Sequence, residues 1–399
     1  MKNKKLVFIE SLLKNAGGHH MDNLIETTLY FKKNNEIHWL VNENFENKNL
    51  YLPDNVILDP YIPDENKDFL KKIKNFFFLI FIFIQEKALF KFIKIFCKNY
   101  FSIPKYFNHK VYSFFKNQNF KPEDIIIIHS CRPKDVELIY FLSGLIKKMP
   151  KIILRVLYPP KKKKLKNFYH YTQKLINDKN IYIKIFSEVT TVKNYIKERL
   201  NYDVKNFTHI FTFHNRIIPK KFTLGFLGES RIDKGFDRLP NFINTLYNNG
   251  IECEFIIQFS KKNYTNTDRI RKQILDISKS NSDIKIIDGY IDFYEYRNLL
   301  KEIDIMPLLY DSDRLNFFGS GIIFSCITNE IPMIIPSKAH SFNEYLVFNS
   351  FEKANTDEEY VHSVKKIISN YEFYLTECKK FSSLYKKSII DDPLVREIN

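Results

Sequence analysis

Two glycines and two cations follow one another closely in the second half of the chain. A short apolar strand pattern runs into Gly225 and Gly228, and Arg231 and Lys234 come next, three residues apart. Glycine lets the backbone turn tightly with free N–H groups, and such amides bind phosphate together with cations. A helix predicted from Phe236 to Asn248 would add the positive end of its dipole. The spacing predicts a phosphate-binding turn; the alternative is an ordinary strand-loop-helix connection with solvated cations.

A second glycine-bearing turn is expected further along the chain. The buried-strand pattern 303–310 leads into a polar loop, and Gly319, Ser320 and Gly321 then open a helix. The segment 330–336 is again a strand pattern. Both turns would lie at the carboxyl ends of parallel strands, where such sheets bind ligands. The pair therefore predicts a site for a diphosphate group.

The elements that must position these turns follow from apolar patterning. The 399 residues exceed what one hydrophobic core usually serves, which predicts two domains. Strands are expected at 6–9, 37–41, 125–129, 152–157, 181–186, 209–213, 223–227, 254–259, 284–287, 305–309 and 333–335, and helices at about 20–33, 134–148, 189–200, 236–248, 267–279, 293–302 and 357–385. This alternation predicts an α/β fold with two doubly wound, Rossmann-like domains that face a cleft.

Breaks in the pattern give the expected domain boundaries. Residues 1–214 are predicted to form the first domain, with a basic and aromatic insert at about 71–121. Residues 215–221 are the expected linker, and residues 222–387 the second domain.

Composition narrows the class of partner. Lys and Arg number 62 against 46 Asp and Glu, a net charge of +16 that favours anionic partners, although codon bias in an AT-rich genome would also raise the lysine content. The five cysteines are scattered and never spaced as C-x-x-C, which argues against disulfides or zinc and favours a reducing cytoplasm. The start of the chain is typical of a first strand rather than a signal peptide, and no apolar run is long enough to cross a membrane.

The insert at 71–121 combines an apolar run, 76–84, with many lysines and aromatic residues. Such a mixture suits the headgroup region of an anionic membrane, and the lysines at 161–164 would extend that surface. The alternative is a helical insert whose phenylalanines pack into the first domain. No RNA-binding motif accompanies the charge, so a membrane is preferred and nucleic acid is not expected as a partner.

The two turns resemble those of GT-B glycosyltransferases of the family-four type. In that family a Gly-x-x-Arg-x-x-Lys-Gly segment and a later Ser-Gly helix start both hold the diphosphate of a sugar nucleotide; here these are residues 228–235 and 319–321. The resemblance implies transfer of a sugar, with retention of configuration, from a nucleotide-sugar donor to a lipid-linked or cell-surface glycan. Arg231 and Lys234 would stabilise the leaving diphosphate, and no metal or other cofactor would be required.

The resemblance also assigns residues around the donor. Gly289 and Tyr290 occupy the turn that faces the base in that family. Phe317 and Ser325 stand where many retaining members carry two glutamates, the second of which binds the donor ribose, and Arg314 is a candidate to replace an arginine of related sequences. The missing carboxylates leave open a degenerate GT-B protein that binds a nucleotide or a partner without catalysis. The other alternative is a basic peripheral membrane or RNA-binding protein, which would use the lysines but leave the two glycine turns unexplained.

The resemblance implies that the first domain lies on the side of the acceptor and that the second binds the nucleotide. In the first domain it concerns glycines and histidines. Gly17 and Gly18 resemble a Gly-Gly loop that lies against the donor phosphates or the acceptor, and His20 would bond a sugar hydroxyl or a phosphate oxygen. His129 ends a strand where that family places a histidine near the transferred sugar, and residues 388–399 would return to the first domain. A solvated helix start and a buried structural histidine remain the alternatives. Asp311-Ser312-Asp313 formally matches a metal-binding Asp-x-Asp, but a solvated loop is the preferred interpretation.

Overall fold

The structure is a computed structural model of the 399-residue chain. It describes residues 4–11, 13, 19–45, 56–63, 104, 106–157, 162–260, 267–289, 291–311, 320–338 and 346–399. The chain divides into two compact units: unit 1 comprises residues 1–16, 27–207 and 398, and unit 2 comprises residues 17–26, 208–397 and 399. The apolar run 76–84 and the lysine at 161 lie outside the described residues.

Unit 1 is built on a seven-stranded parallel sheet in the order β3-β2-β1-β4-β5-β6-β7. Its strands are β1 (Lys4–Glu10), β2 (Asn35–Asn42), β3 (Val56–Ile62), β4 (Ile125–Ile128), β5 (Lys151–Val156), β6 (Ile183–Ser187) and β7 (Val204–Asn206). The helices before residue 207 are α1 (His19–Phe31), α2 (His109–Asn117), α3 (Pro133–Leu145), α4 (Lys162–Asn177) and α5 (Thr190–Leu200). The four isoleucines of β4 are at most 1% exposed, as expected for a strand covered on both faces. Strand order reverses between β1 and β4, which is where doubly wound sheets bind ligands.

Unit 2 contains two three-stranded parallel sheets, β10-β9-β8 and β11-β12-β13. Its strands are β8 (Thr223–Phe226), β9 (Glu254–Phe259), β10 (Ile284–Asp288), β11 (Met306–Pro307), β12 (Met333–Pro336) and β13 (Phe351–Ala354). A parallel bridge between Leu224 and Ile305 links the two sheets, and the Gly225 N–H donates to the Ile305 carbonyl at 3.0 Å. The strand order therefore reverses between β8 and β11, which creates a second switch point.

The helices of unit 2 share an apolar core with these sheets. They are α6 (Leu239–Asn248), α7 (Thr267–Ser280), α8 (Phe293–Glu302), α9 (Gly321–Thr328), α10 (Asp357–Ser369), α11 (Tyr371–Ile390) and α12 (Pro393–Ile398). Phe242 of α6, Phe255 of β9 and Tyr360 of α10 are fully buried in one apolar core with Leu224 and Ile334. Among the described residues no helix is long and apolar enough to cross a membrane.

Three details differ from the expected elements. Residues 209–213 form no strand, and the sheet of unit 1 ends instead with β7. The helix expected from Phe236 begins at Leu239, because Ile232–Lys234 form a 3₁₀ turn that ends at Gly235 in the left-handed region. Strands β3 and β13 and helix α4 were not expected from the sequence.

Candidate functional site

The first predicted turn lies at the switch point of unit 2. We call residues 227–235, which follow β8, the phosphate turn. Gly235 has φ of +75°, and a Cβ built there would lie 2.1 Å from the Leu309 carbonyl oxygen just beyond β11. The Asp311 N–H donates to the Asp233 carbonyl at 3.2 Å. Close packing at one glycine thus holds the turn against the chain that leaves β11.

The amides of the two glycines are occupied, so the prediction of free N–H groups is wrong. Gly225 lies inside β8, where its N–H joins the bridge to Ile305 and the Ile303 side chain fills the space of a Cβ. The Gly228 N–H donates to Gln258 Oε1 at 2.7 Å. At this turn, the charged side chains rather than these amides remain for phosphate.

Lys234 is the cation that the turn presents most directly. Its Nζ lies 3.5 Å from the position of a Cβ at Gly228, which has φ of +110°. The same Nζ lies 6.0 Å from the centroid of the Tyr310 ring. Within the described residues no carboxylate pairs with Lys234. The backbone angle therefore favours glycine at 228, and the ammonium group lies at ordinary contact distance from the position of a Cβ there.

Arg231 differs from Lys234 because two carboxylates already pair with its positive charge. Its Nε lies 2.7 Å from Asp233 Oδ1, its Nη2 contacts Asp233 Oδ2, and its Nη1 lies 3.2 Å from Glu229 Oε2. These hydrogen bonds, that to Asp233 first, hold the pKa of the guanidinium above its ordinary value. The side chain is 37% exposed, so it lies at the surface of the turn with both carboxylates beside it. Glu229 and Asp233 were missed as partners, although their spacing of two residues on either side of Arg231 was a usable signal.

The second predicted turn is described only in part, since Arg314, Phe317 and Gly319 lie outside the described residues. Ser320 directly precedes α9, which begins at Gly321, and its side chain caps no backbone N–H.

Ser325 is buried inside α9. Its Oγ donates to the Gly321 carbonyl at 3.2 Å and lies 3.4 Å from the Tyr296 hydroxyl, which donates to it. Burial raises the pKa of that Tyr296 hydroxyl. Binding of the donor ribose by Ser325 stays a prediction, and it would require the hydrogen bonds of Ser325 to Gly321 and Tyr296 to change.

Gly289 directly follows β10 with φ of +95°, and no atom of the described residues beyond its chain neighbours lies within 4 Å of a Cβ built there. Its N–H donates to the Phe259 carbonyl at 2.7 Å, and its carbonyl accepts from Gln258 Nε2 at 3.0 Å. Tyr290 lies outside the described residues. Within the part of the chain that the structure describes, no side chain packs against the Cβ position of this turn.

His129 lies at the switch point of unit 1, directly after β4. Its backbone N–H donates to the Ile9 carbonyl at 3.0 Å. Its ring Nδ1 lies 3.3 Å from Glu10 Oε2, and both side chains are buried. Glu10, at the end of β1, was not predicted; it lies 119 residues away in the sequence. Gly17 and Gly18 lie outside the described residues, and His20 is described only as part of α1.

A second polar network in unit 1 joins Arg132, Ser11 and Asp135. The Arg132 guanidinium donates to Ser11 Oγ at 2.7 Å, and Ser11 Oγ donates to Asp135 Oδ1 at 2.6 Å. Asp135 also accepts the Arg132 N–H at 2.8 Å, which caps helix α3. Burial raises the pKa of Asp135 to about 6. The network fixes the start of α3 beside the carboxyl ends of β1 and β4.

Comparisons with known proteins connect this geometry to a fold. No protein-family model matches the chain, and no curated protein matches it in sequence. Among solved structures, HepE of Anabaena in complex with UDP and glucose is similar over 96% of this chain and 95% of its own, with a TM-score of 0.60 and 10% identity. The protein has the GT-B fold.

Two further GT-B structures are similar over nearly the full length. A glycosyltransferase of Rickettsia africae matches 100% of this chain and 96% of its own, with a TM-score of 0.62 and 11% identity. A variant of TarM from S. aureus, in complex with fondaparinux, alpha-GlcNAc-glycerol and UDP, matches 99% of this chain and 98% of its own at a TM-score of 0.60 and 11% identity. At such identities, the likeness establishes the fold.

Gly235 provides a test of how this GT-B chain builds its phosphate turn. Gly235→Ala places a Cβ in the left-handed region and against Leu309, whereas Gly250→Ala has a similar φ of +68° but open space. We expect about 1 kcal/mol of destabilisation for Gly250→Ala and about 2–4 kcal/mol for Gly235→Ala, since only the latter also forces the backbone apart. Urea unfolding of both variants measures the difference. Equal losses would show that the close approach at Leu309 is not needed.

A charged cluster in unit 2, in which Glu26 is buried and Arg297 and His214 are half-buried, contains groups that the sequence did not single out. The Arg297 guanidinium lies 2.8 Å from Glu26 Oε1 and 2.6 Å from His214 Nε2, and Glu26 Oε2 accepts from the Thr212 hydroxyl at 2.6 Å. Burial raises the pKa of neighbouring Asp22 to about 8; the carboxylates of Glu26 and Asp292 add to the rise, and Arg297 opposes it. Asp22 is therefore largely protonated near neutral pH.

This protonation makes the stability of the GT-B chain depend on pH through Asp22. The unfolded carboxyl loses its proton near its ordinary value of 3.8, but the native one retains it up to about pH 8. The native state binds more protons in that window, so the contribution of Asp22 to stability falls as pH rises through it, by at most about 1.4 kcal/mol per pH unit. Asp22→Asn imitates the protonated form. We expect its free energy of unfolding, relative to wild type, to increase steadily from about pH 5 to about pH 8 in urea titrations; a pH-independent difference would contradict this assignment.

Proposed function

We propose that the protein is a glycosyltransferase that moves a sugar from a nucleoside diphosphate donor to a glycan acceptor. The observation that carries the proposal is the phosphate turn at the switch point of unit 2, where Lys234 presents an ammonium group over Gly228. The GT-B fold supports it, and HepE, which shares the fold, has been solved in complex with UDP-glucose.

The chemistry that we propose is electrostatic. As the bond between sugar and diphosphate breaks, negative charge grows on the leaving phosphate oxygens, and a preorganised cation stabilises that charge. Lys234 fits this role because no carboxylate of the described residues neutralises it and because the packing at Gly235 fixes its turn. Arg231 reaches the same phosphate only if the ligand competes with Asp233 and Glu229.

The remaining features of the proposal concern cofactor, stereochemistry and acceptor. With a lysine supplying the positive charge, the reaction requires no divalent metal. We propose retention of configuration, with Gly17, Gly18 and His20 near the donor or acceptor and His129 near the transferred sugar. Glu10 would then orient the imidazole of His129 through its Nδ1. The acceptor is a lipid-linked or cell-surface glycan, and the protein acts peripherally at the inner face of the cytoplasmic membrane, held by its basic surface.

A second candidate is a GT-B protein that binds a nucleotide without transferring a sugar. Two observations favour it: Ser325, at the position of a ribose-binding glutamate in the resembling family, is buried and bonded within α9, and Arg231 is compensated by two carboxylates.

One assay separates the two candidates. Purified protein is incubated with UDP-glucose and other sugar nucleotides, and the release of nucleoside diphosphate is followed with and without glycan acceptors. Release that requires Lys234 supports the glycosyltransferase. Nucleotide binding without release from any donor, in the presence of acceptors and anionic vesicles, favours the non-catalytic protein.

A further inference from the structure

Gln258 connects the two turns of unit 2 that the proposed function assigns to the nucleotide. It is the penultimate residue of β9, the strand that pairs with β8 on one side and with β10 on the other. The phosphate turn leaves β8, and the turn at Gly289 leaves β10. The half-buried Gln258 side chain therefore starts midway between them.

The side-chain amide bonds to both turns at once. Its Oε1 accepts the Gly228 N–H at 2.7 Å, and its Nε2 donates to the Gly289 carbonyl at 3.0 Å. A side-chain amide supplies an acceptor and a donor from one planar group at neutral pH, and asparagine is one methylene shorter. Both glycines have positive φ and lack a side chain, so neither residue could make the connection itself.

A second set of bonds supports this connection from the backbone. The Ser230 hydroxyl donates to the Gln258 carbonyl at 3.1 Å. The Ser230 N–H donates to Ser260 Oγ at 3.2 Å, and the Ser260 N–H donates to Ser230 Oγ at 2.9 Å. The phosphate turn is thus bonded to the end of β9 at two points, and Gln258 carries the connection on to β10.

We propose that Gln258 is a positioning residue that fixes the distance between the phosphate turn and the Gly289 turn for a nucleoside diphosphate. This inference rests on the proposed function, because it assumes that one ligand spans both turns. A ligand that contacts both benefits from their fixed spacing, since less freedom is lost on binding. A ligand that contacts only the phosphate turn gains little from it.

Two ligands of different reach test this role by isothermal titration calorimetry. The long ligand is whichever of UDP, GDP, ADP and TDP binds wild-type protein most tightly, and the short ligand is inorganic diphosphate. For Gln258→Met, which keeps the size but removes both hydrogen bonds, we expect roughly tenfold weaker nucleotide binding and less than about threefold weaker diphosphate binding. Gln273→Met, the same change at an exposed position of α7, should bind both ligands as wild type does.

A conservative variant provides a pH-dependent rescue. In Gln258→Glu the ionised carboxylate accepts from Gly228 but repels the Gly289 carbonyl, whereas the protonated carboxyl restores both hydrogen bonds. We therefore expect its nucleotide affinity, relative to wild type at the same pH, to rise as the pH is lowered from about 8 towards about 5. Gln258→Met should show no such recovery.

The results that overturn the inference are distinct from those that overturn the function. If Gln258→Met binds the nucleotide as tightly as wild type, or more tightly because a phosphate oxygen then takes the Gly228 N–H, Gln258 does not position the site. Equal weakening for nucleotide and diphosphate would reduce its role to the phosphate turn alone and would also overturn the inference. If wild-type protein binds no nucleoside diphosphate and no diphosphate, the proposed function itself fails.

Discussion

Lys234→Met is expected to lower the rate of sugar transfer by about 10²- to 10³-fold with little change in stability. Removing one preorganised group that stabilises developing charge usually costs this much. The ammonium group of Lys234 lies over Gly228 without a carboxylate partner among the described residues, so its loss leaves no buried charge behind. The measurement is the transfer rate at saturating donor, with the free energy of unfolding determined in parallel.

Arg231→Met is the matched comparison for this prediction. It removes a cation from the same turn, but one whose charge Asp233 and Glu229 already balance. We expect a loss of rate at least about tenfold smaller than for Lys234→Met, because the guanidinium of Arg231 already donates to two carboxylates and is less available to the leaving phosphate. Equal losses would show that the ligand displaces both carboxylates and engages Arg231 fully.

Arg216→Met is expected to destabilise the protein by about 3–5 kcal/mol. Arg216 is buried and lies 3.0 Å from Asp304 Oδ1, and its guanidinium also donates to the carbonyls of Leu300, Lys301 and Asn329 at the ends of α8 and α9. Removing the guanidinium leaves Asp304 buried without its charged partner, and burial already raises the pKa of that carboxyl. The helix carbonyls also lose their hydrogen-bond donors. Chemical denaturation measures the loss.

Two further variants control this prediction. Arg396→Met breaks a surface pair with Asp391, in which the arginine side chain is 66% exposed, and should cost less than about 1 kcal/mol. Adding Asp304→Asn to Arg216→Met should recover part of the loss, because the uncompensated charge is then removed. A change below about 1 kcal/mol for Arg216→Met would mean that water replaces its bonds.

Much of the fold was predictable because its signals are local. Continuous apolar runs such as Ile125–Ile128 identified buried parallel strands, and the helix Phe293–Glu302 and the strand Glu254–Phe259 were predicted with their observed limits. The apolar pattern of the segment 209–213 also predicts a strand. In the structure, however, the His209 carbonyl accepts from the Tyr385 hydroxyl at 2.9 Å instead of joining a sheet. The two residues are 176 positions apart in the sequence, so no local pattern could predict their contact.

The residue types of the candidate site were predictable from the sequence, but their hydrogen-bond partners were not. Glycines and cations identified the phosphate turn, yet the occupancy of the Gly228 N–H depends on Gln258, thirty residues away. His129 was identified at its strand end, but its buried partner Glu10 comes from β1. Asp233 and Glu229 flank Arg231 in the sequence, so the pairing of its positive charge with these carboxylates could have been predicted locally.

The most direct test of the central claim is a thermal-shift titration of wild type and Lys234→Met with nucleoside diphosphates. A ligand that binds only the native state raises the melting temperature. We predict that at least one nucleoside diphosphate raises the melting temperature of wild-type protein and that the shift is largely lost in Lys234→Met. If no nucleoside diphosphate shifts wild type, or if the variant shifts equally, the phosphate turn is not a diphosphate site.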